Sequence, residues 1–233
     1  MNQSLPILQD TALVLVCKRP ALYQGKQRLA ATLGAETALT VAELLLSCAL
    51  EDAVSWPGSL VISPAHREDA IWANTLLDQD YYVIPQSEGN LGERLNRLDR
   101  DIRHLGIKNT LYIGSDAPLI TINHLSDAAR KLNTYDIVLN QASDGGVILM
   151  GCGKPWPELS HLPWSTSQLE QSLADLCRQS GLSVGYGTPG YDIDNQKDLT
   201  QLLKDLQQDR RPARQALVQL VTPLLNTGVP AHA

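Results

Sequence analysis

The sequence contains no phenylalanine, and only 5% of its 233 residues are aromatic. A folded core must therefore be built mainly from Leu, Ile, Val and Ala. The hydrophobic fraction of 43% and the charged fraction of 19% are ordinary for a globular protein that buries a large core. The length favours one large α/β domain over two small ones.

Cysteine and long apolar runs are also scarce. The four cysteines are far apart and form no Cys-x-x-Cys pair, which argues against a zinc site or a disulfide framework. No apolar run approaches the roughly 18 residues that span a bilayer. The N-terminus lacks the basic-then-apolar order of a signal peptide. We therefore expect a cytoplasmic protein without a membrane span.

Positive charge is in deficit. The chain has 19 Lys and Arg against 25 Asp and Glu, which gives a formal net charge of −6. A broad nucleic-acid surface needs a surplus of clustered basic residues, so we expect no nucleic-acid partner. A local basic cluster can still hold a small anionic ligand.

Short apolar runs alternate with longer amphipathic segments along the chain. This order is typical of β-α-β units and predicts a mainly parallel sheet. The expected strands are 12–16, 59–62, 81–84, 110–113, 136–139, 147–150 and 183–186. The expected helices are 35–53, 91–105, 122–132, 166–180 and 196–206, with Ser165 or Thr166 as the N-cap of the fourth. Two apolar runs flank the turn-forming segment 143–146, which predicts a hairpin and an antiparallel strand in the sheet.

The C-terminal part of the chain differs from the rest. Segment 207–214 is polar and basic, and it separates a predicted single domain at 1–206 from a short apolar stretch at 216–225. We interpret residues 207–233 as a helical extension followed by a loose tail at 228–233. The helix is expected to pack on the domain or on a second copy of the chain, so a homodimer is possible.

The first candidate site is the loop that follows strand 12–16. Lys18, Arg19, Lys26 and Arg28 place four cations within eleven residues. Because ligands bind outside the carboxyl ends of parallel strands, these side chains suit the oxygens of a di- or triphosphate. The loop contains neither the phosphate-loop motif Gly-x-x-x-x-Gly-Lys-Ser/Thr nor the dinucleotide motif Gly-x-Gly-x-x-Gly. A solvated basic loop is the alternative interpretation.

The second candidate site follows strand 110–113, where the chain reads Gly-Ser-Asp-Ala-Pro. Packing explains poorly why Asp116 should leave a buried strand between small residues and a proline. Its carboxylate can ligate Mg²⁺ or Mn²⁺, which prefer oxygen donors and share them with phosphates. The alternative is that Asp116 caps the next turn.

Two further candidates involve glycines. Asp144-Gly145-Gly146 is a common turn sequence, but paired glycines also let the backbone approach a ligand closely. Asp144 could then orient an acceptor hydroxyl or act as a base. Gly92 lies at the start of the helix predicted for 91–105, whose N-terminus could face an anion.

The last candidate is the segment Tyr191-Asp192-Ile193-Asp194-Asn195, which precedes the helix predicted for 196–206. Either Asp194 or Asn195 could be the N-cap of that helix. A carboxylate from Asp194 that meets Asp116 across the strand ends would complete a metal site. Both interpretations can hold for neighbouring residues.

Seven short motifs follow one another between about residues 11 and 200. They are Lys18-Arg19-Pro20, Lys26-Gln27-Arg28-Leu29, Leu91-Gly92-Glu93-Arg94, Gly114-Ser115-Asp116-Ala117-Pro118, Asp144-Gly145-Gly146, Pro163-Trp164-Ser165-Thr166 and Asp192-Ile193-Asp194. In this order they resemble a bacterial family of GT-A-type glycosyltransferases of unassigned substrate, which are relatives of the nucleotide-diphospho-sugar transferases. The resemblance implies a three-layer α/β/α fold of GT-A type, with a mainly parallel sheet that includes an antiparallel strand. It also implies a nucleotide or nucleotide-sugar ligand and a Mg²⁺ or Mn²⁺ cofactor.

On this resemblance, the site residues receive roles. Asp116 and Asp194 would hold the metal, and Asp144 would face the acceptor, whose identity the sequence does not give. The remaining candidates would bind the nucleotide and its phosphates: Lys18, Lys26, Arg28, Gly92, Ser115, Gly145 and Gly146.

The chain departs from the family pattern in its presumed phosphate loop and on its acceptor side. Ala21-Leu22-Tyr23 stands where Val-Pro-Gly is usual, and Gln27 stands where Thr is usual. Asn90 replaces a common Asp, and Val147 replaces a usual Tyr. The main hypothesis is a metal-dependent transferase that acts on a nucleotide sugar. A nucleotidyltransferase resembling the phospholactate guanylyltransferases and a catalytically silent nucleotide-binding or partner-binding scaffold are the alternatives.

Overall fold

A seven-stranded sheet forms the centre of the protein, for which the computed structural model describes residues 4–226. The expected tail at 228–233 lies outside the described residues. The strands are β1 Thr11–Cys17, β2 Leu60–Pro64, β3 Tyr82–Val83, β4 Asn109–Ile113, β5 Ile137–Gln141, β6 Val147–Cys152 and β7 Val184–Tyr186. Their order is β3-β2-β1-β4-β6-β5-β7. All the strands expected from the sequence are present, although β3 is only two residues long.

The predicted hairpin is formed by β5 and β6. β6 pairs antiparallel with both β4 and β5, and the other neighbouring strands pair parallel. Consequently, the turn between β5 and β6 lies at the same edge of the sheet as the carboxyl ends of β1 and β4. This edge carries the candidate site.

Helices cover both faces of the sheet. They are α1 Ser4–Gln9, α2 Gln27–Leu33, α3 Ala35–Val54, α4 Ala70–Ala73, α5 Leu91–His104, α6 Ile122–Lys131, α7 Leu169–Gln179, α8 Gln196–Asp205 and α9 Pro212–Asn226. On one face, α3 and α6 pack against Leu13 and Leu15 of β1. On the other, α5 and α7 pack on the side to which Val14 points. Strand β1 is therefore buried on both faces, as its unbroken apolar sequence predicts, and the three-layer α/β/α prediction is confirmed.

The start of α7 differs from the expectation. The helix begins at Leu169 rather than at Thr166, and its N-cap is Gln168, which makes no side-chain capping bond. Ser165 has a left-handed backbone with φ of 63°, and the Thr166 hydroxyl donates to the Pro163 carbonyl oxygen at 2.8 Å. These residues therefore belong to a loop, and the prediction that Ser165 or Thr166 caps the helix is wrong.

The basic segment 207–214, whose last residues belong to α9, is bonded to the rest of the protein. Arg214 is completely buried and bonds to Glu51 and Asp52 of α3. It also donates to the carbonyl oxygens of Pro118 and Ile120, at 3.0 and 3.2 Å. The helix expected at 216–225 begins earlier, at Pro212, and packs on α3 and α8. The division of the chain at residue 206 stays a prediction.

Between residues 4 and 226, the structure contains no helix whose length and apolar character would let it cross a bilayer.

Candidate functional site

Two neighbouring cavities open at the edge of the sheet where β1 and β4 end. The first, of about 550 Å³, is lined by Lys18, Arg19, Lys26, Gln86 and Arg94, and we call it the basic cavity. The second, of about 420 Å³, is lined by the β5–β6 turn and by residues 164–166, and we call it the hairpin cavity. Both cavities are bordered by Asp116, Asp194 and Ser165. The arrangement is a cleft in two halves with carboxylates at the boundary.

Three aspartates form an acidic triad at this boundary. One carboxylate oxygen each from Asp116, Asp192 and Asp194 lies within 4.8 Å of the others. The backbone fixes their proximity, because Ile193 N–H donates to the Asp116 carbonyl oxygen at 2.9 Å. The Ile193 side chain is completely buried. In an extended segment alternate residues share a side, so Asp192 and Asp194 both point towards the cleft.

The N-cap of α8 is Asn195, and this leaves Asp194 free for the site. The Asn195 side chain accepts bonds from Lys197 N and Asp198 N, while Asp198 accepts from Asn195 N in a capping box. Of the two capping candidates in the sequence, Asn195 therefore has this role. The Asp194 carboxylate is directed instead at the basic loop.

Lys26 connects the basic loop to the triad. Its Nζ lies 3.1 Å from Asp116 Oδ2 and 3.2 Å from Asp194 Oδ1, and its side chain is only 13% exposed. Arg28 Nη1 lies 3.6 Å from Asp194 Oδ2, but the Arg28 side chain is 76% exposed. The pair made by Lys26 is therefore much better shielded from water than the pair made by Arg28.

The surroundings of Asp192 and of Lys26 change the pKa values of these two side chains. Burial, together with the charges of Asp116, Asp194 and Asp144, raises the pKa of Asp192 to about 6. Burial lowers the pKa of Lys26, but the Asp116 and Asp194 carboxylates outweigh it, so the pKa lies above its ordinary value. The triad is thus a negative centre that is stabilised by cations.

The donor set fits a hard divalent cation. All three groups of the triad are carboxylates, and Mg²⁺ and Mn²⁺ prefer oxygen ligands. Asp116, Asp192 and Asp194 are the residues that would hold such an ion. Such an ion would supply positive charge next to the basic cavity.

Most of the site residues expected from the sequence line the cleft. Lys18, Lys26 and Ser115 line the basic cavity. Arg28, Asp144 and Gly146 line the hairpin cavity. Asp144 is exposed, and its Oδ1 accepts a bond from Gly146 N–H at 2.9 Å, so the carboxylate also stabilises its own turn.

Gly92 and Gly145 line neither cavity, and backbone packing explains both. A Cβ at Gly92 would lie 2.1 Å from the Leu159 carbonyl oxygen. A Cβ at Gly145, which has φ of +90°, would lie 2.1 Å from the Ser167 carbonyl oxygen. Each glycine thus lets segment 159–167 approach the cleft.

We expect Gly92→Ala to lower the free energy of unfolding by about 1–3 kcal/mol, because the added methyl group forces α5 away from Leu159. Urea denaturation followed by circular dichroism measures this change. Arg100→Ala, on the exposed side of α5, is the matched control and should change stability by less than about 0.5 kcal/mol. Equal effects of the two substitutions would contradict the packing explanation.

Three residues of the cleft received no role from the sequence. Asp192 could have been found, because the Asp-x-Asp spacing places two carboxylates on one side of an extended segment. Gln86 is 7% exposed and donates to the Ser63 carbonyl oxygen at 3.0 Å, but no local motif marks it. Arg94 has a buried Nε without a hydrogen-bond partner among residues 4–226.

Comparisons with known proteins agree with this fold. One similar crystal structure is that of a protein from Desulfovibrio desulfuricans G20, whose proposed activity is that of a nucleotide-diphospho-sugar transferase. It superposes with a TM-score of 0.85 at 20% identity, and the match covers 94% of this chain and 98% of that chain. A homologue of Mycobacterium tuberculosis Rv0371c from Mycobacterium sp. strain JC1 has a TM-score of 0.56 at 15% identity, with 91% and 98% covered. A cytidylyltransferase from Leptospira borgpetersenii has a TM-score of 0.52 at 10% identity, with 97% and 99% covered. The fold is that of the nucleotide-diphospho-sugar transferases.

Sequence comparison identifies the family. No curated protein matches the sequence. Residues 45–166, just over half of the chain, match the profile of a bacterial family described as "Uncharacterized protein conserved in bacteria". The chain therefore belongs to this bacterial family, DUF2064.

Proposed function

We propose that the protein is a metal-dependent transferase that acts on a nucleotide sugar. The supporting observation is the meeting of two different cavities at the acidic triad. The basic cavity offers Lys18, Arg19 and Lys26 to phosphate oxygens. The hairpin cavity offers the exposed carboxylate of Asp144 on the other side of the triad. A transferase needs this arrangement, with a donor and an acceptor on either side of the bond that breaks.

The donor half would hold the nucleotide diphosphate. Lys18 and Lys26 would act as point charges, and Arg28, which lines the hairpin cavity beside Asp194, would reach the diphosphate oxygens from the other side of the triad. Ser115 would add a hydroxyl donor. Asp116 and Asp194, joined by Asp192, would hold Mg²⁺ or Mn²⁺, an ion that would supply positive charge for a leaving diphosphate. Gly92 and Gly145 would act through packing, and Gly146 through its place in the hairpin turn.

The acceptor half would be organised by Asp144. Its carboxylate is close enough to the triad to raise the pKa of Asp192, yet it belongs to a different loop. We propose that Asp144 orients an acceptor hydroxyl or accepts its proton. The fold neighbours from Desulfovibrio and Leptospira support a transferase in general terms and leave the acceptor open.

The test is product analysis with the pure protein and Mn²⁺. We expect release of a nucleoside diphosphate from at least one of a panel of nucleotide sugars. Pyrophosphate release from a nucleoside triphosphate, with no turnover of any nucleotide sugar, would overturn this proposal. Nucleotide binding without any turnover would select the catalytically silent alternative.

A nucleotidyltransferase is the second candidate. Lys18, Arg19, Lys26 and Arg94 all line the basic cavity, and this charge suits a triphosphate as well as a diphosphate. The cytidylyltransferase from Leptospira borgpetersenii also shares the fold over 97% of this chain. Pyrophosphate detection in the same experiment distinguishes the two reactions.

For the transferase, we expect Asp144→Asn to lower kcat by about 10²–10⁴-fold, as for the loss of a general base. Nucleotide affinity should stay within about twofold, because Asp144 lies outside the basic cavity. Initial rates and calorimetry measure the two quantities. Ser143→Ala, on the same turn, is the control. An unchanged kcat for Asp144→Asn would exclude Asp144 from the chemistry.

A further inference from the structure

Lys26 is bound to the same carboxylates that are proposed to hold the metal. Its Nζ contacts Asp116 Oδ2 at 3.1 Å and Asp194 Oδ1 at 3.2 Å. These two aspartates supply two of the three ligand groups of the triad. A divalent cation that binds the triad therefore competes with the Lys26 ammonium group.

Separation of the Lys26 ammonium group from Asp116 and Asp194 is energetically unfavourable. The Lys26 side chain is 13% exposed, whereas the Asp116 and Asp194 side chains are 39% and 40% exposed. A shielded ammonium without an anionic partner is strongly disfavoured, because burial removes its hydration. Lys26 needs a replacement anion if a metal takes its carboxylates.

The backbone of Lys26 is unusual as well. Lys26 is the N-cap of α2 and has a left-handed conformation, with φ of 43° and ψ of 37°. This conformation is disfavoured for any residue with a Cβ. In this conformation the side chain makes the contacts to Asp116 and Asp194.

A replacement anion has a place beside Lys26. The basic cavity is lined by Lys26, Lys18, Arg19 and Ser115, so a diphosphate in this cavity reaches the ammonium group directly. Such an anion also contributes oxygen ligands to a metal in the triad, since Mg²⁺ is usually bound by one or two carboxylates together with substrate phosphates.

We propose that Lys26 couples metal binding to diphosphate binding, so that the triad takes up its divalent cation together with a diphosphate. This inference rests on the proposed function, because it assumes the metal site and the phosphate site. Metal alone has to displace Lys26 from its carboxylates and binds weakly. Metal with diphosphate gives Lys26 a new partner and binds tightly. By reciprocity, the diphosphate also binds more tightly when the metal is present.

The experiment compares the wild-type chain with Lys26→Met. Calorimetry with Mn²⁺ alone measures the metal affinity, and thermal unfolding with Mg²⁺, inorganic pyrophosphate, both or neither measures the coupling. We expect Lys26→Met to bind Mn²⁺ alone at least about tenfold more tightly than the wild type, because the competing ammonium is gone. In the wild type, the shift of Tm with both ligands should exceed the sum of the separate shifts. In Lys26→Met, the excess over the sum should be smaller, because only the direct ligation of the metal by the diphosphate remains.

Two further variants complete the design. Lys204→Met removes the same charge from the last turn of α8 and should bind Mn²⁺ as the wild type does. Lys26→Gln keeps a polar side chain and replaces Lys26→Met if that variant does not fold by circular dichroism.

Two results overturn the coupling: equal Mn²⁺ affinity in the wild type and Lys26→Met, or an excess shift of Tm in the wild type that is no larger than the excess in Lys26→Met. A wild type that responds to no combination of Mg²⁺, Mn²⁺ and pyrophosphate has a different meaning. That result overturns the proposed metal–phosphate site itself, and the coupling with it.

Discussion

Asp116→Ala is expected to weaken Mn²⁺-dependent binding of a nucleotide sugar or nucleoside diphosphate by about a hundredfold or more. Loss of a residue that merely supports a metal ligand costs about 10–100-fold in metal affinity, and loss of a ligand should cost at least as much. Asp116 is also one of the two carboxylate partners of Lys26. The substitution therefore removes a proposed ligand of the metal and also an ion-pair partner of the Lys26 ammonium group.

Calorimetry with and without Mn²⁺ measures this effect. Asp80→Ala, an exposed aspartate outside the cleft, is the control for the loss of one negative charge. The metal-dependent part of the affinity should vanish in Asp116→Ala and stay unchanged in Asp80→Ala. If Asp116→Ala retains the full metal dependence, the acidic triad is not the metal site.

The largest loss of stability is expected for Arg214→Ala, about 3–5 kcal/mol in the free energy of unfolding. Arg214 is fully buried, and its guanidinium bonds to Glu51 and Asp52 and to two carbonyl oxygens of segment 118–120. Removal of the guanidinium leaves Asp52, whose side chain is 5% exposed, with Arg211 as its remaining ion-pair partner in the described chain. The buried Pro118 carbonyl oxygen loses its bond from Arg214 at the same time, whereas the Ile120 carbonyl oxygen keeps a bond from Arg211.

Urea denaturation of Arg214→Ala and of Arg210→Ala tests this expectation. Arg210 lies in the same basic segment but is exposed, so its loss should change stability by less than about 0.5 kcal/mol. The network would have no major role in stability if both variants unfolded at the same urea concentration. A loss confined to Arg214 would show that the basic segment is part of the folded core.

The sheet could be predicted from the sequence because its strands carry their own signal. β1 is an unbroken apolar run that must be covered on both faces, and the polar turn at 143–146 interrupts two apolar runs. These patterns are local, so they specify strands and a hairpin without knowledge of distant residues. The carboxyl ends of β1 and β4 lie at one edge of the sheet, so the basic loop and Asp116, which follow these strands, also lie there, as expected.

The remaining features depend on residues that are far apart in the chain. Arg214 meets Asp52 across 162 positions, and nothing near Arg214 distinguishes it from the exposed Arg210. The sequence predicted only a phosphate-binding role for Lys26. Its contacts to Asp116 and Asp194 span 90 and 168 positions, so no local pattern reveals them. The left-handed conformation of Ser165 is likewise set by its surroundings, since a helix from Thr166 is locally reasonable. The positions and roles of these residues are determined by tertiary contacts.

The two halves of the cleft, which meet where the β5–β6 hairpin turns, come mainly from different parts of the chain. Most residues particular to the basic cavity come from the segment 17–94. The hairpin cavity draws mainly on segments 112–116, 144–150, 164–169 and 192–194. In the proposed transferase, exchange of the hairpin tip between relatives would therefore alter the acceptor half without changing the residues particular to the basic cavity. Exchange of residues 163–168 would also replace Ser165, which borders both cavities. On the proposed function, the acceptor half would thus diverge through substitution in one short turn, while the residues of the basic cavity stay the same.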